Sequence, residues 1–134
     1  MQTVVFIHGM FMTPLCWEHW RSRFAARGYT TLAPAWPGRD LSVQELNAKH
    51  PDPRLGRLSL TDVVEHFESE INKLDQKPIL VGHSMGGLIA QILLHRDLAA
   101  AAVAVDPAPP AGVFSLEWSF LKANWPMVNP LVSQ

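Results

Sequence analysis

The sequence predicts an α/β fold in three layers, a mostly parallel sheet with helices on both faces, followed by a C-terminal helical tail. Three observations lead there. Four short strand-like runs, residues 3–7, 30–33, 78–81 and 101–105, alternate with stretches of helical character. The first, Thr3-Val4-Val5-Phe6-Ile7, is continuously β-branched and aromatic, as in a strand buried on both faces. Strands separated by helices are joined by right-handed crossovers, which makes them parallel and covers both faces of the sheet.

Each element has a local reason. The first strand stops at His8-Gly9. Thr13-Pro14 then offers a helix N-cap with proline at the first helical position, and Gly28 is a stop after Arg27. Between them Leu15, Trp20, Phe24 and Ala25 are expected to share one helical face. Residues 30–33 form a second strand, closed by Pro34 and the Trp36-Pro37-Gly38 turn. Residues 37–58 are polar and contain Pro51, Pro53 and Gly56, so a long loop with one helical turn is expected there. From Ser59 or Thr61 to about Leu74, the residues Val63, Val64, Phe67, Ile71 and Leu74 recur at helical spacing. The third strand, 78–81, runs at once into Gly82-His83-Ser84-Met85-Gly86-Gly87. A helix is expected from Leu88 to about Asp97, and a fourth strand, Ala101–Val105, ends at Asp106. From Pro107 onward prolines dominate, and then Phe114, Trp118, Leu121 and Trp125 line one helical stripe. Residues 1–106 therefore read as the core and 107–134 as a separate helical segment.

Composition narrows the function. The chain has 134 residues, about one small domain, with 48% hydrophobic and 17% charged residues, an ordinary globular mixture. Lys+Arg 11 against Asp+Glu 12 gives a net charge of -1, with no basic stripe, so no nucleic-acid partner is expected. The lone cysteine, Cys16, excludes an internal disulfide framework and a cysteine-based zinc finger. Apolar runs fall short of the roughly 20 residues of a membrane span, and the N-terminus lacks a charged leader region and cleavage site. No membrane association is expected, and a cytoplasmic, reducing location is the default. No spacing of carboxylates or histidines suggests a metal, and no cofactor is expected.

Gly82-His83-Ser84-Met85-Gly86 is a G-x-S-x-G pentapeptide with a buried strand leading in and a helix leading out. In that setting the serine sits on a sharp turn where strand and helix backbones pass closely. Only small residues fit two before and two after it, and here both Gly82 and Gly86 are small. The turn lifts the Ser84 hydroxyl to a helix N-terminus, where the helix dipole and the Met85 amide can stabilise an oxyanion. A glycine-rich strand-to-helix turn with Ser84 as an ordinary N-cap is the competing, purely structural reading. His8-Gly9 weighs against it. In a sheet ordered 2-1-3-4 the backbone after the first strand lies beside the end of the third, and the amide of Met10 or Phe11 becomes a second oxyanion donor. Ser84 is accordingly expected at positive φ with its hydroxyl near that amide.

The chain resembles the α/β-hydrolase family over residues 3 to about 106, corresponding to that family's third to sixth strands. The matching residues are Val5-Phe6-Ile7-His8-Gly9, Ala35-Trp36-Pro37-Gly38-Arg39 and Ile79-Leu80-Val81-Gly82-His83-Ser84-Met85-Gly86-Gly87. The second departs from the commoner Asp-x-Pro-Gly form: Ala35 and Trp36 stand where an acid is expected, with no catalytic meaning attached. The Trp-rich stretch after Asp106 looks like the start of the family's helical cap or lid.

The resemblance implies Ser84 as nucleophile, then an acid, then a histidine base late in the chain. The histidines are His8, His19, His50, His66, His83 and His95. Only His95 follows Ser84, eleven residues on in the same helix and about 16 Å along its axis. His83 adjoins the serine but is expected to pack in the core. His8 is expected to stabilise the turn after the first strand, and His19, His50 and His66 to lie on helix surfaces or loops. Asp106 stands where some branches carry the catalytic acid, or else it caps the turn before Pro107.

The expectation is a serine hydrolase acting on a small-molecule ester or thioester, catalytically incomplete in this chain, which is a fragment or a natural truncation. The alternative is a non-catalytic α/β domain binding a small apolar ligand or a partner chain. Self-association or a complementing chain is expected in either case, because the fourth strand leaves an edge with no lysine or proline inside it.

Overall fold

The computed structural model describes residues 1–50 and 52–113, together with 118, 119, 122 and 125. Four parallel strands, β1 (Thr3–Ile7), β2 (Thr30–Leu32), β3 (Ile79–His83) and β4 (Ala101–Val105), form one sheet in the order β2-β1-β3-β4. Helices cover both faces, giving the three layers expected from the alternation.

Alternate residues of the central strands divide between two cores, as a period of two requires. Val5, Ile7 and Leu80 pack with Val63, Val64 and Phe67 of α4 (Leu60–Ile71) and with Ile89 and Leu93 of α5 (Met85–His95). Val4, Phe6 and Val81 face the other way and pack with Trp17. Two-sided burial is why β1 carries no polar side chain after Thr3.

The segment after β1 winds differently from expectation. Pro14–Trp17 is a 3-10 turn, and α1 follows as Glu18–Ala25. Three residues per turn instead of 3.6 shift the register, so the buried anchor is Trp17, 5.1 Å from the Phe6 ring. Leu15 and Trp20, expected on the inner face, are 63% and 44% exposed.

The stretch read as a loop with one helical turn holds two short helices, α2 (Val43–Ala48) and α3 (Pro53–Gly56). Ser42 and Glu45 close a reciprocal capping box on α2, and Ser59 and Asp62 close another on α4. In both, the serine N–H and hydroxyl donate to the carboxylate and hold its pKa below the ordinary range. Helix α4 ends at Ile71 rather than Leu74. Helix α5 begins at Met85, three residues before the expected start, because the glycine pair winds into its first turn.

β4 forms one edge of the sheet. Val103 pairs in register with Val81, which places it on the Trp17 face. The 3-10 turn and α1 contact β1 and β2, and Val103 is left 50% exposed. Of the expected tail stripe, Phe114 and Leu121 lie outside the described residues, while Trp118 and Trp125 are exposed. No helix among the described residues is long and apolar enough to cross a membrane.

Candidate active site

The C-terminal ends of β1, β3 and β4 meet at Ser84. Its backbone has φ 55 and ψ −121, the positive φ that the pentapeptide predicts. Such a conformation costs a non-glycine residue about 1–3 kcal/mol and persists only where the surroundings hold it. Here they do. The Ser84 N–H donates to the Val105 carbonyl at 3.0 Å, and the Ser84 carbonyl accepts from the amides of Gly87, Leu88 and Ala108.

The flanking glycines are required by contact. A Cβ on Gly82 would overlap the Gly86 carbonyl, which is the strand–helix crossing expected from the motif. A Cβ on Gly86 would overlap the Ile7 carbonyl and lie 2.7 Å from the His8 oxygen, so this glycine also seats α5 on the end of β1. Gly9 sits against the serine itself: a Cβ there would be 3.3 Å from Ser84 Cβ. The Met12 N–H donates to the Gly9 carbonyl at 3.1 Å, folding residues 9–12 into a turn that exposes Met10, Phe11 and Met12. Met85 is half-buried at the N-terminus of α5, where the helix dipole is positive.

His8 is fully buried and hydrogen-bonded at both ring nitrogens. The Trp36 backbone N–H donates to Nε2 at 3.2 Å, so the proton resides on Nδ1, which donates to the Gly9 carbonyl at 2.8 Å. The Trp36 indole N–H donates to the His8 carbonyl at 3.0 Å, and the two rings stack at 5.7 Å. Burial pushes the His8 pKa below its ordinary 6.5, and the Arg39 charge adds to this, against the bond to Gly9. The folded state therefore prefers neutral His8. That preference stabilises fully above pH 6.5 and is lost as pH falls from there through the lowered folded value. Urea denaturation at pH 7.5 and pH 5 is expected to show lower stability at pH 5, with a smaller difference in His8→Asn.

The other histidines divide. His66, expected on a surface, is half-buried, and its Nε2 lies 2.9 Å from the Ala35 carbonyl. His83 is half-buried at the end of β3 rather than packed in the core, with Nδ1 3.6 Å from where a Gly9 Cβ would stand. His95 ends α5, the whole helix away from Ser84. Asp106 is exposed with φ 41, between Val105 and Ala108, both of which bond the Ser84 backbone. Thus Ser84, Met85, Gly82, Gly86, Gly9 and Asp106 come together at one end of the sheet, with Met10 and Phe11 on the adjoining turn. Sequence reasoning attached no role to Trp36. Its one signal was an aromatic residue beside Pro-Gly at the end of a strand.

Comparison with known proteins bears on the family and the fold. A family model described as "Alpha/beta hydrolase family" matches residues 4–133. No curated protein matches the chain. Among solved structures, an extracellular alpha/beta-hydrolase from a Paenibacillus species superposes with a TM-score of 0.66 at 22% identity, over 92% of this chain and 49% of its own. A Paleococcus ferrophilus monoacylglycerol lipase gives 0.62 at 23% identity, over 96% and 48%. A thioesterase domain from the curacin biosynthetic pathway gives 0.64 at 24%, over 96% and 45%. The chain spans about half the length of these structures.

Proposed function

Since the chain belongs to the alpha/beta hydrolase family, we propose that it carries the nucleophile side of a serine hydrolase site. Ser84 is the nucleophile that attacks a carboxylic ester or thioester carbonyl to give an acyl-enzyme. The amides of Met85 and of Met10 or Phe11 are the oxyanion donors, Gly82 and Gly86 permit the turn, and Asp106 is the candidate acid. Residues 1–106 are the catalytic core and 107–134 the start of a cap over the substrate. The reading rests on one observation above all: Ser84, a non-glycine residue, is held at φ 55 between a buried strand and a helix. The lipase and thioesterase names of the similar structures support a small-molecule ester substrate. The single cysteine fits a reducing, cytoplasmic setting.

We infer that no histidine among the described residues serves Ser84 as its base. His8 uses both ring nitrogens in bonds to Trp36 and Gly9, His66 faces Ala35, and His95 is a helix length away. An unassisted serine hydroxyl is a weak nucleophile at neutral pH. The chain alone is therefore expected to turn over p-nitrophenyl acetate negligibly, while a fluorophosphonate probe labels Ser84 slowly and Ser84→Ala not at all. Robust ester turnover that Ser84→Ala abolishes would overturn the missing base and point to His83 or a neighbouring molecule. A complete absence of labelling would favour the second reading, a non-catalytic domain that binds a partner chain. The half-exposed Val103 on the sheet edge favours that alternative.

A further inference from the structure

We infer that Trp36 is a positioning residue which, by its two bonds to His8, holds the turn carrying the Met10 amide against Ser84. This rests on the reading of Ser84 as nucleophile.

The chain of contacts is short. Trp36 grips His8 twice, by its backbone N–H on Nε2 and by its indole N–H on the His8 carbonyl. The first bond fixes the imidazole tautomer, leaving the Nδ1 proton for the Gly9 carbonyl. That carbonyl also accepts the Met12 N–H, so it is held from two directions. The Gly9–Met10 peptide is planar and trans, which points its N–H opposite to its C=O. Pinning the Gly9 oxygen toward the imidazole therefore turns the Met10 N–H away from the ring. Gly9 itself packs on Ser84, so this peptide is the one next to the reacting serine.

Trp36 is in turn held from behind. The His66 ring bonds the Ala35 carbonyl, and the Arg39 N–H donates to the Trp36 carbonyl at 2.8 Å, closing the turn after β2. A buried tryptophan with its only ring donor spent on a main-chain carbonyl is thus built into the support of the turn facing Ser84.

Trp36→Phe keeps a ring and the backbone N–H that fixes the tautomer, but it releases the His8 carbonyl, so the His8–Gly9 peptide at the head of the turn loses its anchor. The full chain, its Trp36→Phe variant and a control, Ile89→Val, would be treated with a fluorophosphonate well below their melting temperatures. The labelling rate of Ser84 is expected to fall roughly tenfold or more in Trp36→Phe, as when an oxyanion donor is misplaced. It should stay within twofold in Ile89→Val, and the Met10 amide resonance should shift only in Trp36→Phe. Equal rates in wild type and Trp36→Phe would overturn this inference and leave the Ser84 reading standing. Equal losses in both variants would make Trp36 merely structural and overturn it as well. Absence of wild-type labelling would overturn the Ser84 reading and this inference together. Should Trp36→Phe fail to fold, long-range nitrogen–proton spectra of the wild type decide. A His8 ring protonated on Nδ1 and a Trp36 indole proton protected from exchange are expected, and an Nε2-protonated ring or an unprotected indole would overturn the inference.

Discussion

Gly86→Val is expected to cost more than about 4 kcal/mol, enough to unfold most of a domain of ordinary stability. The reason is that the obstruction is main chain. A Cβ at this position meets the carbonyls of Ile7 and His8, at the end of a strand bonded to neighbours on both sides. Neither can swing away as a side chain would, so α5 must lift from the sheet and expose Ile89 and Leu93, both fully buried. Gly82→Ala should behave similarly, since its Cβ would meet the Gly86 carbonyl. Two controls separate overlap from backbone conformation. Gly28→Ala carries only the penalty of its positive φ, with nothing within 4 Å, and should cost about 1–2 kcal/mol. Gly56→Ala meets nothing and has an ordinary φ, so it should change stability by less than about 1 kcal/mol. Urea denaturation followed by circular dichroism measures all four. A wild-type midpoint for Gly86→Val would mean that α5 does not rest on β1.

The second large effect concerns association. β4 ends the sheet with a run of five small apolar residues, and its half-exposed Val103 faces outward beside the Trp17 core. An edge strand without a charge, a proline or a bulge invites another strand. Light scattering at micromolar concentration is expected to give a mass well above the 14.9 kDa of one chain. Val103→Lys should return it to the monomer, because a charge on the exposed row is costly to cover. A wild-type chain that stays at 14.9 kDa on concentration would show that the edge is already protected.

Which features were legible in the sequence follows from how local their causes are. The positive φ of Ser84 and the crossing of Gly82 with Gly86 follow from residues within one βα unit, so the pentapeptide announces them. Two-sided burial of β1 is written in five consecutive residues. The 3-10 winding of Pro14–Trp17 was not legible, because the choice between Trp17 and Trp20 as anchor depends on where Phe6 lies across the layer. Of the helices within 37–58, α2 was announced only by the Ser42/Glu45 pair, whose serine and carboxylate also suit a loop. The roles of Trp36 and His66 depend on bonds spanning 28 and 31 residues, which no local pattern encodes.

The serine's own backbone bonds have a dynamic consequence. Its N–H hangs from the last carbonyl of β4, and its carbonyl takes the Ala108 amide just beyond. Among the described residues β4, like β2, is bonded on one side of the sheet only, so it opens more readily than the central strands β1 and β3. Each time β4 frays, the Ser84 amide becomes free to exchange with solvent and the strained turn loses part of what holds it. The Ser84 amide should then exchange at the rate of β4 opening, faster than those of Phe6 or Val81 in the centre, and any strand that occupied the edge would slow it.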